Sequence, residues 1–136
     1  MTDKQKVALD NWLTALRSGK HAQGRGGLCN VEQEGRRSYC CLGVFYLANC
    51  PEAKHHDRFG FESEWEAAGF LISETVEEYG FSSENPSVLV NSSKGYLGKP
   101  IRATLSSLND ERRLTFEQIA DIIEVNAPFI FSQKPQ

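Results

Sequence analysis

The sequence predicts an α+β fold: one domain over residues 1–136, with N- and C-terminal helices packed on a small antiparallel sheet. Three observations lead there. Apolar residues recur at helical spacing behind a Thr-x-x-Gln capping box near each end, at Thr2/Gln5 and Thr115/Gln118. The stretches LCNVEQ and RRSYC flank a polar turn as a strand pair would. No long linker, repeat or low-complexity tract divides the 136 residues, a length that suits one core.

The first helix places Leu9, Trp12, Leu13 and Leu16 on one face and stops at Gly19. A glycine-rich loop and the predicted hairpin follow. CLGVFYLAN is almost wholly apolar, so periodicity alone does not separate buried helix from buried strand. Clustering of Leu42, Phe45, Tyr46 and Leu47 on one side favours helix. The polar run CPEAKHHDRFG reads as loop. Short helical pieces are expected around Glu64–Ala68 and Glu74–Tyr79, the latter capped by Ser73 and stopped by Gly80. FSSENPS is a turn, SVLVN a strand and SSKGYLGK a loop. Pro100 suits a first helical turn, with Ile101, Leu105 and Leu108 following at helical intervals and Asn109-Asp110 breaking the chain. The last helix carries Phe116, Ile119, Ala120, Ile122 and Ile123 as its apolar stripe.

Composition is that of a globular domain, 40% apolar and 24% charged. No apolar run reaches the length of a membrane span, and MTDKQKVALD lacks the pattern of a signal peptide. A cytosolic protein without a membrane partner is expected. Without a secretion signal, Cys29, Cys40, Cys41 and Cys50 are expected as free thiols, with Cys40 and Cys41 acting as small hydrophobes in YCCLGVFYL. Net charge is −3, but residues 1–60 carry nine Lys/Arg against six Asp/Glu, and residues 61–136 carry six against twelve. The basic excess gathers at Arg17, Lys20, Arg25, Arg36 and Arg37. That favours a local anionic ligand over a broad nucleic-acid face.

The loop RSGKHAQGRGGL contains the glycine spacing of a phosphate-binding P-loop in Gly19 to Gly24. Arg25-Gly26 stands where Lys and Ser/Thr are required, and the loop follows a helix rather than a strand, so that motif is excluded. A looser reading is an anion nest of glycine amides, with Arg17, Lys20 and Arg25 neutralising phosphate oxygens. The alternative is a helix stop followed by a solvated loop.

Other chemistries find less support. Cys29, Cys40, Cys41, Cys50, His55 and His56 lack the paired spacing of a zinc site, so no metal or cofactor is expected. A catalytic thiol would need Cys40 or Cys41 beside His21 or His55, and the apolar setting opposes a thiolate. The final helix makes a poor DNA reader, because Glu117, Asp121 and Glu124 would be repelled by phosphates. Tyr39, Phe59, Phe61, Trp65, Tyr79 and Tyr96 are available for stacking on a base.

Several segments resemble a widespread set of small bacteriophage and prophage proteins. The matching residues are Trp12 and Ala15 to Gly19, Gly26 to Leu28, Tyr39 to Val44, Leu108 to Asp110, Phe116, and Ile119 to Glu124. YCCLGV is the most distinctive piece; FYLANC departs where such proteins often end in a Cys-Asp-Leu pattern. The resemblance implies a phage accessory protein in the host bacterial cytoplasm. By analogy of context it implies an anti-defence factor, since several such families sequester nucleotide signals of Thoeris or CBASS immunity.

The expected function is therefore non-enzymatic sequestration of a small anionic ligand, a cyclic nucleotide or ADP-ribose derivative. Arg17, Lys20 and Arg25 would hold phosphates, Gln23 would add a polar contact, and Tyr39 or Trp65 would stack on the base. A homo-oligomer is expected, because a pocket shared between small subunits buries a ligand better. The alternative is inhibition of a host protein through the acidic C-terminal half. A Cys/His enzyme and a DNA-binding regulator rank below both.

Overall fold

The computed structural model describes residues 1–50, 63–91 and 100–132. Both expected capping boxes form. Thr2 Oγ1 accepts from the Gln5 amide and Gln5 Oε1 from the Thr2 amide, starting helix α1 (Asp3–Arg17). Thr115 and Gln118 do the same for the last helix, Phe116–Ile130. Gly19 adopts φ +73° just beyond α1, the left-handed conformation that ends a helix at little cost to glycine.

The predicted hairpin is present as β1 (Cys29–Val31) and β2 (Arg37–Tyr39), antiparallel with Cys29 opposite Tyr39. CLGVFYLAN is a helix, α2 (Cys41–Asn49). Gly43 lets it dock: a Cβ there would overlap the Leu28 carbonyl. Two short helices follow, α3 (Glu64–Ala67) and α4 (Ser73–Tyr79), and Gly80 closes α4 at φ +73°. Ile72, not Ser73, occupies the N-cap of α4, and Ser73 is its first helical residue.

The segment after Pro100 corrects the expected helix start. Ile101–Thr104 is a strand, β4, paired antiparallel with β3 (Ser87–Val90) so that Val88 faces Ala103. Pairing with β3 wins over the helical spacing of Ile101, Leu105 and Leu108 because it places Val88 and Ala103 in the core. Helix α5 (Leu105–Asp110) begins only after Thr104, whose Oγ1 accepts from the Ser107 amide. Asn109 and Asp110 form its last turn rather than a break. The final helix, Phe116–Ile130, is α6.

The architecture is α+β, with the strands in two separate two-stranded sheets. Helix α1 packs on α2 and α6, and α6 also packs on β3. One apolar cluster joins them, centred on Trp12, Leu16, Phe45, Phe81, Leu105 and Ile123. Trp12 meets Phe45 edge to face at 5.3 Å, and its indole N–H donates to the Cys41 carbonyl at 2.8 Å. The loops expected over CPEAKHHDRFG and SSKGYLGK lie outside the described residues beyond Cys50 and Asn91, as do His55, His56, Phe59, Phe61 and Tyr96. Among the described residues no helix is long and apolar enough to cross a membrane.

Candidate functional site

The glycine-rich loop is built into the fold by its backbone. Ala22 to Gly24 runs beside β2: the Tyr39 amide donates to the Ala22 carbonyl and the Gly24 amide to the Tyr39 carbonyl, each at 2.8 Å. The Leu28 amide donates to the Ala68 carbonyl, and the Lys20 amide to Ser18 Oγ. These amides are therefore engaged within the protein and do not face an anion. Gly24 is tight for a further reason, since a Cβ there would overlap Ser38 Oγ.

Asn109 holds the loop in place. Its Nδ2 donates to the Gly24 carbonyl at 2.7 Å, and its Oδ1 accepts from Gln23 Nε2 at 2.9 Å and from the Cys41 amide at 3.2 Å. The side chain is fully buried, so these bonds satisfy groups that water cannot reach. The loop, the start of α2 and the end of α5 meet at this one amide.

The sequence-derived ligand residues scatter around that hub. Arg17 Nη2 is 2.8 Å from Asp121 Oδ1 and 3.2 Å from Glu124 Oε1, a bridge from α1 to α6 that raises the guanidinium pKa. Gln23 Nε2 is shared between Asn109 and the Leu114 carbonyl. Arg25 is exposed, while its carbonyl accepts from Asn30 Nδ2. Lys20 opens on a shallow depression of about 350 Å³ lined also by Asn11, Thr14, Ser18, His21 and Ala48, without Arg17, Gln23 or Arg25. Burial and, secondarily, Lys20 lower the His21 pKa. Trp65 is buried and stacks on Tyr46 with centroids 5.0 Å apart, while Tyr39 lies 6.4 Å from it, tilted by 31°.

The thiols are free, with Cys29, Cys40 and Cys41 buried. Burial pushes Cys29 and Cys40 up to about 11 and Cys41 well above the ordinary thiol range. Cys41 Sγ donates to the Leu105 carbonyl at 3.5 Å. Among the described residues no cluster of three metal-ligating side chains forms.

The outer face of α6 presents a different kind of surface. Val125 and Phe129, one turn apart, are 77% and 62% exposed. Glu117, Asp121 and Glu124 are exposed on the same helix, and α6 contains no Lys or Arg. Helical geometry at 100° per residue puts Ile122, Val125 and Phe129 on one half of this face and the three acids on the other. The apolar half borders β3, because Asn126 bonds both the amide and the carbonyl of Leu89, itself 41% exposed. Pro128 supplies no N–H to the Glu124 carbonyl, leaving that acceptor outside the helix ladder. The apolar-stripe reading of α6 had no place for Val125 and Phe129. Their spacing opposite the core stripe was the signal in the sequence.

A family model described as a domain of unknown function, DUF8296, matches residues 3–127, and the chain belongs to that family. No curated protein and no solved structure matches the chain.

Proposed function

We propose that this member of the DUF8296 family is a binding protein whose outer α6 face takes a cationic amphipathic segment of another protein. The observation that carries the reading is the pair Val125 and Phe129, bare on a helix whose exposed charges are all acidic. Burying such a side chain in an interface is worth about 1.5–3 kcal/mol. Glu117, together with Asp121 and Glu124 once a partner's cations compete with their exposed bridge to Arg17, would fix the orientation of a basic partner and reject acidic ones. A second copy fits this face poorly, since two α6 faces brought together would oppose their acidic rows, with the guanidinium of Arg17 already engaged by Asp121 and Glu124 of its own chain. The resemblance to small phage proteins supports a host factor as the partner and the bacterial cytoplasm as the place of action.

The test is in-cell photocrosslinking from a benzophenone amino acid at position 129. The reading requires one partner whose crosslinked peptide is net basic, with the crosslink lost in Val125→Asp. A crosslink to a second copy of the chain, to an acidic peptide or to nothing would overturn it.

A second reading keeps the small anionic ligand, and the depression at Lys20 and His21 favours it. Exposed Arg25 would add a second cation at the loop. Its test is thermal shift and ligand recovery with cyclic di- and trinucleotides and cyclic ADP-ribose isomers. Stabilisation lost in Lys20→Ala supports it, and no response to any member removes it.

A further inference from the structure

The outer face of α6 changes character along the helix axis. Its exposed residues are Glu117, Gln118, Asp121 and Glu124 toward the N-terminus, then Val125, Pro128 and Phe129 in the last two turns. Glu117 precedes Val125, and Asp121 precedes Phe129, by about 12 Å of helix rise. Glu117 has no ion pair among the described residues, whereas Asp121 and Glu124 share Arg17.

The backbone beside this face is closed to a strand. Leu89 of β3 turns its peptide toward α6, and Asn126 takes both its N–H and its carbonyl at 2.9 Å. An extended segment would need those two groups to add to the sheet there. A helix needs neither, because its own ladder satisfies its backbone. Side chains one turn apart on such a helix match Val125 and Phe129, which have the same spacing, and half-exposed Leu89 forms the adjoining wall.

We infer that the partner segment is a helix lying antiparallel to α6, its apolar residues in the N-terminal half and its cations in the C-terminal half. The inference rests on the reading of α6 as a docking face and adds the partner's form and direction. The reason is electrostatic. Glu117 stands in the first turn of α6, where the helix dipole favours a carboxylate. An antiparallel partner sets its own last turns over Glu117, and the end of a helix favours cations. A parallel partner would need its cations in its first turn, where the dipole opposes them and loosens the helix. Antiparallel packing satisfies both dipoles and the charge pairs together.

Two peptides of identical composition and about four helical turns test this. One carries Leu and Phe in its first half and Lys and Arg in its second; the other has the order reversed. Resonance shifts of isotopically labelled protein read affinity, and a nitroxide on each peptide's N-terminus reads direction. The apolar-first peptide should bind about tenfold tighter than the reversed one. It should turn helical on binding by circular dichroism, and its nitroxide should broaden amides near Phe129 rather than near Glu117. Equal affinities, preference for the reversed peptide, a non-helical bound state or broadening centred on Glu117 would overturn the inference while leaving α6 as the docking face. Binding that survives Val125→Asp, or no binding of either peptide at millimolar concentration, would remove the docking face and the inference with it.

Discussion

Asn126 lies against Leu89 as a short strand would: Leu89 N–H donates to its Oδ1, and its Nδ2 donates to the Leu89 carbonyl, both at 2.9 Å. A side-chain amide thus covers one peptide on the edge of β3 and ties that edge to α6. Asn126→Ala would leave both groups unpaired in a partly buried position, at a cost of about 2 kcal/mol. Urea unfolding should report the loss, and amide exchange should speed up at Leu89.

Asn109 should be less tolerant still. Asn109→Asp replaces the donor to the Gly24 carbonyl with an acceptor inside a fully buried site. Destabilisation of about 3 kcal/mol is expected for either Asn109→Asp or Asn109→Ala. Stability equal to the parent protein in equilibrium unfolding would show that the hub is dispensable.

The glycines divide into two kinds. Gly43→Ala drives a methyl into the Leu28 carbonyl, and main chain cannot step aside, so a loss of about 3 kcal/mol or more is expected. Gly19→Ala meets nothing within 4 Å and is penalised only by its positive φ, about 1 kcal/mol. The ratio of the two effects, measured by thermal unfolding, separates close approach from backbone conformation.

Arg17→Gln should change stability by less than about 1 kcal/mol, because its bridge to Asp121 and Glu124 is solvent-exposed. If α6 binds a cationic segment, the same substitution frees two carboxylates and should strengthen that binding. Comparing the unfolding curve with the affinity for the crosslinked partner peptide tests both halves.

His21 gives a pH dependence of definite sign. Its folded-state pKa lies below the ordinary value of 6.5, first because of burial and then because of Lys20. The unfolded chain therefore binds more protons in this window, and stability rises with pH. The contribution is full above pH 6.5 and is lost as pH falls through 6.5 toward the native value. His21→Gln should flatten the stability profile between pH 7 and pH 5.

The cysteines should react in order of exposure. Cys50 is half-buried and raised less, whereas Cys40 and Cys41 are buried with pKa values pushed to about 11 and beyond. Alkylation of folded protein at pH 8, followed by peptide mass spectrometry, should label Cys50 first. Rapid labelling of Cys40 or Cys41 would revive a catalytic thiol.

Local chemistry determined the ends and faces of the helices. Thr2 with Gln5, Thr115 with Gln118, and the stops at Gly19 and Gly80 act within a few residues, so spacing alone is sufficient to read them. The α+β class and the burial of Cys40 and Cys41 followed from the same patterning. Tertiary structure decided what those elements are for. It turned Ile101–Thr104 into a strand by offering β3 as a partner, and it occupied Arg17 and Gln23 with residues more than eighty positions away. A cationic side chain reads the same in sequence whether it awaits a phosphate or already holds a carboxylate. Only the approach of α6 and Asn109 fixed which, and the same approach left Val125 and Phe129 facing outward.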